Sequence, residues 1–216
     1  MIKEAESPDR ILEKLRTFPY YINYEQLTRF ELHAMLTAAD AIPRKVAFLG
    51  SGPLPLSSLC FLDQVKELSL EDDRKAIQIF NIDMNGEAIR LSQNLIHALG
   101  PWGEGMHFVH GEAGAEGLDM SQFDVIHMAA LVGKTQEEKE EIILKIAKQM
   151  KIGALMVVRS ARGLRLCLYP EMDIESGSCE PIRKILHPCM VFHPLSRVVN
   201  SAIVLRKFDP STGDTD

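Results

Sequence analysis

The residues able to do chemistry gather around one glycine turn. Gly50-Ser51-Gly52-Pro53 follows the apolar run Val46 to Leu49, and Asp83 ends the next apolar run, Ile77-Gln-Ile-Phe-Asn-Ile-Asp83. A nucleoside-binding α/β fold uses this pattern: glycine lets the backbone approach the ligand, and the acid accepts from ribose hydroxyls. The pattern points to an adenosine-containing ligand touching Gly50, Ser51, Gly52, Pro53, Asp83 and Met84. Pro55 stands where a dinucleotide fingerprint carries its third glycine, which counts against a pyrophosphate-bearing cofactor such as NAD. An acid closing an apolar strand is costly without a partner, which favours the binding role for Asp83.

Ligands of doubly wound sheets sit beyond the carboxyl ends of the strands. That rule brings Gly111-Glu112-Ala113, the segment Ala129-Ala130-Leu131-Val132-Gly133, and the segment Arg159 to Arg165 to the same crevice, with Ser160, Arg162 and Arg165 as candidate contacts. Glu112 either accepts from the adenine amino group or is a solvated loop carboxylate. Phe18-Pro-Tyr-Tyr-Ile-Asn-Tyr24 holds Tyr20, Tyr21 and Tyr24, and Tyr169, the fourth tyrosine, precedes Pro170. Such rings either pack helices together or attract a soft cation such as a sulfonium. His107 and His110 lie three apart on an expected strand, so they face opposite ways and cannot chelate together. With no paired cysteines and no His-x-x-x-His helix, no metal site is expected. No Gly-x-Ser-x-Gly elbow is present, which disfavours serine hydrolysis.

These residues need a scaffold, and the sequence supplies an alternating one. Strands are expected at Val46–Leu49, Ile77–Ile82, Met106–Val109, Val125–Met128 and Leu155–Val158. Helices fall between them, including Glu87–Leu99 and one opened by a capping box of Thr135 and Glu138. Alternation of this kind gives a parallel sheet with right-handed crossovers. Two late apolar stretches, joined through His193-Pro194 with no helix between, predict an antiparallel hairpin at the sheet edge. The result is an α/β, Rossmann-like class I methyltransferase fold in a single domain. Residues 1–42 read as a helical cap, with Ser7-Pro8-Asp9 opening one helix and Asn23 capping another; residues 43–207 form the core and 208–216 a polar tail.

Composition sets outer bounds. The chain has 216 residues, 46% of them hydrophobic, enough for one core. A net charge of −6 gives no electrostatic case for nucleic acid, and no apolar run spans a bilayer. Scattered Cys60, Cys167, Cys179 and Cys189 suit a reducing, cytoplasmic setting. The expected partner is a small molecule, and a homodimer is compatible with this composition.

Several stretches together resemble the nicotianamine synthase family: Phe18-Pro-Tyr-Tyr-Ile-Asn-Tyr24, Phe48-Leu-Gly-Ser-Gly-Pro-Leu-Pro-Leu56, Asn81-Ile-Asp83, Ala129-Ala-Leu-Val-Gly133, Arg159-Ser-Ala-Arg-Gly163, Leu168-Tyr-Pro170, and Phe192-His-Pro194 with Asn200-Ser201. The resemblance runs in order from about residue 18 to 207. It implies S-adenosylmethionine (SAM) as substrate, with displacement of methylthioadenosine and movement of the 3-amino-3-carboxypropyl arm onto an amine. In that family a tyrosine of the Tyr-Tyr-x-Asn-Tyr block lines the catalytic site, and Tyr24 matches it, with Tyr20, Tyr21 and Tyr169 as neighbouring candidates.

Two departures shape the expectation. Arg162 replaces the histidine of the family's Arg-Ser-Ala-His-Gly, so Arg162 or Arg165 becomes a candidate clamp for the SAM carboxylate. Only residues 1–17 precede Phe18, where family members carry a helical domain with a glutamate base; Glu4, Glu6 or Glu13 would have to substitute. A smaller reaction is therefore expected to lead: intramolecular attack of the SAM α-amine on its own γ-carbon, giving azetidine-2-carboxylate as in short relatives of natural-product pathways. Intermolecular aminocarboxypropyl transfer is the alternative, followed by ordinary methyl transfer and a non-catalytic SAM-binding subunit. The cap is expected to act as a lid over SAM.

Overall fold

A computed structural model describes residues 6–39, 42–68, 77–115, 117–161, 170–193 and 201–209. Helices α1 (Pro8–Arg16) and α2 (Tyr21–Ala39) lead into β1 (Lys45–Leu49), α3 (Leu56–Leu68), β2 (Gln78–Asp83), α4 (Gly86–Leu99) and β3 (Met106–His110). There follow β4 (Val125–Met128), α5 (Gln136–Gln149), β5 (Leu155–Ser160), the short α6 (Glu180–Arg183), β6 (Leu186–Phe192) and β7 (Ser201–Lys207). The strands form one seven-stranded sheet in the order β3-β2-β1-β4-β5-β7-β6. The first five are parallel, and β7 runs antiparallel to both β5 and β6. The closing hairpin thus inserts its second strand beside β5 and leaves β6 at the edge. Pro188, which has no N–H to donate, sits at a register shift of that edge strand. Among the described residues no helix is long and apolar enough to cross a membrane.

Period-2 alternation sends successive strand residues to opposite layers. Ala47, Leu49, Ile126, Met128, Met156 and Val158 pack against Ile143, Ile146 and Ala147 of α5. Val46, Phe48, Val125, Leu155 and Val157 pack against Leu32 and Met35 of α2 and Phe61, Leu62 and Val65 of α3. Each such fully buried side chain adds roughly 1.5–3 kcal/mol of transfer free energy. Leu12 of α1 joins Leu59, Ile96 and Leu99 in a smaller cluster. The Thr135 hydroxyl accepts from the Glu138 N–H at 3.2 Å, and the Glu138 carboxylate reaches back to the Lys134 N–H at 2.8 Å, one residue short of the box expected.

The second helix departs from expectation at its start. It opens at Tyr21, so Asn23 lies inside its first turn rather than at the N-cap position. The Tyr21 N–H donates to the Phe18 carbonyl at 2.9 Å, and Tyr24 donates to Tyr20 at 3.1 Å, so the chain is already turning before Asn23. The tyrosine block is thereby the opening of a helix, which places Tyr21 and Tyr24 on neighbouring positions of one face.

Candidate functional site

The carboxyl ends of β1 and β2 build the first half of the site. Gly50 and Gly52 adopt φ of 72° and 69°, which only glycine tolerates without strain. At Gly50 a side chain is excluded twice over, because a Cβ would fall 2.6 Å from Val132. Nothing lies within 4 Å of the Cβ position at Gly52, so that side of the turn faces open space. Asp83 turns one carboxylate oxygen to the Gly52 N–H and the other to the Asn85 N–H, each at 2.8 Å. Each oxygen keeps a further acceptor site, so two adjacent hydroxyls can be received together. The Ser51 hydroxyl is buried in the same turn and has no hydrogen-bond partner among the described residues.

Neighbouring strand ends frame this turn. Asn85 caps α4 by accepting from the Glu87 and Ala88 N–H groups, and Gly111 donates to the Asp83 carbonyl at 3.0 Å. Ala129 donates to the Leu49 carbonyl at 3.0 Å, which joins the β4 end to the β1 end. Met84 and Leu131 are large apolar side chains left 71% and 73% exposed at these ends. Pro53 and Glu112 are also exposed, Ala113 is half-buried and Ala130 is buried. Ser160 is buried, and its hydroxyl accepts from the Met172 N–H at 2.7 Å, so it ties down the chain returning from β5. Arg162, Arg165 and Tyr169 lie outside the described residues.

The tyrosines separate in space. Tyr20 is exposed and packs edge-on to Phe18, with 5.7 Å between the rings. Tyr21 turns into a cluster with Leu56 and Cys60, and burial raises its hydroxyl to about 12. Tyr24 packs against the same cluster, as does Leu54 of the glycine turn, and the Tyr24 ring centroid lies 6.0 Å from the Arg159 guanidinium carbon.

Beneath Tyr24 lies a buried group that the motif reading passed over. Glu31 of α2 receives two guanidinium bonds from Arg159, at 2.8 and 2.9 Å, and one from His127 Nε2 at 2.9 Å. Arg159 also donates to the Ser57 hydroxyl at 2.6 Å. Burial opposes ionisation of Glu31, but the Arg159 charge, with the hydrogen bonds from Arg159 and His127, outweighs it and holds the carboxyl down to about 2. For His127 burial wins, pushing its pKa down although Glu31 works the other way. The two directions agree on one arrangement: an Arg159–Glu31 ion pair with a neutral imidazole donating from Nε2, since a carboxylate can only accept. Two signals for this group were present in the sequence. Leu27, Glu31 and Met35 fall at helical spacing, which puts the acid on the apolar face of α2, and His127 alternates with the core-facing Val125. Lys139 of α5 is also buried, and it donates to the Ala130 carbonyl at 2.8 Å and the Arg159 carbonyl at 3.2 Å. Among the described residues no group of three His, Cys, Asp or Glu side chains is placed to hold a metal ion.

Comparison with known proteins bears on both the sequence and the fold. Nicotianamine synthase 2 of Arabidopsis thaliana is 36% identical over 207 residues, which make up 95% of this chain and 60% of that protein. Nicotianamine synthase 9 of Hordeum vulgare is 37% identical over 202 residues, or 92% of this chain and 55% of its own length. The chain thus spans about three fifths of the length of these relatives. Among solved structures, a mutant of MtNAS in complex with S-adenosylmethionine superposes with a TM-score of 0.70 at 21% identity, covering 94% of this chain and 70% of that one. The N-methyltransferase NodS of Bradyrhizobium japonicum WM9 gives 0.61 at 12% identity, covering 90% of this chain and all of NodS. These two share the fold, a class I SAM-dependent methyltransferase architecture. The model for nicotianamine synthase proteins matches residues 1–212, and with it this chain belongs to the nicotianamine synthase family.

Proposed function

We propose that this chain binds SAM and catalyses displacement of methylthioadenosine by an amine, moving the 3-amino-3-carboxypropyl arm. The observation that carries the reading is Asp83, whose carboxylate is fixed between the Gly52 and Asn85 N–H groups with acceptor capacity left for two ribose hydroxyls. The Ser51 hydroxyl gives an unspent polar group to the same ligand, and Met84 and Leu131 give apolar surface for a purine. In the reaction an amine lone pair attacks the γ-carbon, the carbon–sulfur bond breaks, and its electron pair goes to sulfur. The sulfonium becomes a neutral thioether, and the amine sheds one proton. Tyr24, packed on the Tyr21, Leu56 and Cys60 cluster with its ring facing Arg159, is the residue assigned to shape the methionine arm. Effective molarity gained by such positioning supplies up to about 7–11 kcal/mol of a barrier.

Family membership favours an amine on a second molecule. A second reading makes the nucleophile the α-amine of SAM itself, which yields azetidine-2-carboxylate. The observation favouring it is Glu31: the carboxylate nearest the Tyr24–Arg159 pair is an ion pair held to about 2 and takes no proton, whereas an α-amine titrating near neutrality needs no strong base. Closure over the substrate belongs in either reading to α1 and the opening turn of α2, because Glu31 fixes the later turns to the sheet. One experiment separates the outcomes: purified protein incubated with SAM alone, then with added amines, followed by product analysis. Methylthioadenosine formed only with an added amine means transfer, and methylthioadenosine with azetidine-2-carboxylate from SAM alone means cyclisation. S-adenosylhomocysteine would replace both readings with methyl transfer, and bound, unchanged SAM would remove catalysis altogether.

A further inference from the structure

Lys139 breaks two local rules at once. It falls at the end of the first turn of α5, where the helix dipole favours the acids Glu137 and Glu138 and opposes a cation. It is also 0% exposed. Its ammonium has neutral partners: the Ala130 carbonyl at 2.8 Å and the Arg159 carbonyl at 3.2 Å. Burial alone pushes it down to about 8, with no carboxylate contributing. Neutral carbonyls do not repay the desolvation of a charge, so the lysine is a poor choice for stability. Violations of local consistency in folded proteins concentrate at functional positions.

What the lysine joins gives it a role. Ala130 belongs to the segment after β4, and Arg159 lies at the end of β5. These two strand ends belong to different parts of the crevice: one carries Leu131, the other the guanidinium that meets Tyr24 and Glu31. A second contact closes the same segment onto Lys139. Gly133 adopts φ of 81°, and a Cβ there would stand 2.8 Å from the Lys139 Cα and 2.9 Å from its Cβ. The loop from Ala129 to Gly133 is therefore gripped at one end by the lysine's backbone and near the other by its ammonium.

We infer that Lys139 is a positioning residue, a buried strap that holds the β4-end loop and Arg159 in one register so that the apolar wall and the Tyr24 support meet the same ligand. It touches no substrate itself. The inference rests on the SAM-binding reading above, and its test keeps the two apart. Lys139→Met keeps the length and volume of the side chain while removing the charge and its donors, and an apolar replacement of a buried ion is commonly tolerated. Thermal unfolding without ligand should show a midpoint equal to or above that of the wild type. Titration calorimetry with methylthioadenosine should show affinity reduced roughly tenfold, the scale on which loosened coupling between contacting elements acts. Amide hydrogen exchange should quicken in the loop from Ala129 to Gly133 and stay unchanged in β1.

Each result has a fixed meaning. Wild-type protein that does not bind methylthioadenosine removes the SAM reading, and the strap falls with it. Binding by the wild type with equal affinity and equal loop exchange in Lys139→Met overturns the strap alone. If Lys139→Met and Lys139→Leu both fail to fold, the lysine serves the core rather than the site, and the inference is again overturned.

Discussion

The two polar centres at the carboxyl edge of the sheet are built on opposite principles. Around Asp83 the charge is half-exposed, and its fixed partners are backbone N–H groups of the glycine turn and the α4 cap. Around Glu31 every charge is buried, and the bonds run between side chains: His127 of β4 and Arg159 of β5 bond Glu31, and Ser57 of α3 accepts from Arg159. The open centre keeps spare acceptor capacity and suits a ligand. The closed centre has its strongest bonds spent internally and suits a foundation, on which Tyr24 rests. On the proposed function, chemistry at the first would depend on geometry secured by the second.

Cutting the foundation should have the largest effect. Glu31→Ala removes the carboxylate partner of the buried Arg159 charge, and should destabilise the fold by about 3–5 kcal/mol in denaturant titration. A loss below about 1 kcal/mol would show that water reaches Arg159 and that the centre is not closed. The same carboxylate sets an acid limit. Its folded pKa, about 2, lies below its ordinary value of 4.5, so its contribution to stability is complete above that ordinary value. It is lost progressively as pH falls from 4.5 through about 2. Wild type should therefore lose stability in this window, and Glu31→Gln, already weakened at neutral pH, should lose less of its remainder; parallel acid-unfolding curves would contradict the assignment.

Tyr24→Ala tests the link between the centres. If its role is to shape the methionine arm, turnover should fall about a hundredfold while methylthioadenosine affinity changes little. Equal losses in both would make it a binding wall instead. Asp83→Ala addresses the open centre, and should weaken methylthioadenosine binding by roughly 1.5–3 kcal/mol with little change in the unfolding midpoint. Unchanged affinity by calorimetry would mean that the ribose is held elsewhere. Gly52→Ala should cost about 1–2 kcal/mol of stability, because the positive φ opposes the new methyl group and, among the described residues, no neighbour does. Any ligand that approaches that backbone closely should lose affinity in the same variant.

The open centre was legible in the chain because its parts are local or repeat with the strand period. Gly50 and Gly52 declare a turn by type, Asp83 declares a strand end by following Asn81-Ile82, and the run of strands and helices implies the crevice that joins them. The helix α2 opens three residues before the start that an Asn23 cap predicts, since a helix held by tertiary packing began before its best capping side chain. Closeness in the chain placed Tyr20, Tyr21 and Tyr24 near one another, but not the direction each ring would take. Tyr21 goes to Leu56 and Cys60, and Tyr24 faces Arg159.

What the sequence determined by itself is therefore the fold class, the strand ends and the glycine turn, along with family membership carried by ordered motifs. These follow from periodicity and from conformations open to single residues, and both are properties of short stretches of chain. Only the tertiary structure decided that Glu31, His127, Arg159 and Lys139 meet. Glu31 and Arg159 are 128 positions apart, and Lys139 and Arg159 are 20 apart. In sequence each reads as an ordinary charge on a helix or strand. Burial alone separates a solvated charge from a structural one, and burial is fixed only when α2 and α5 close on opposite faces of the sheet.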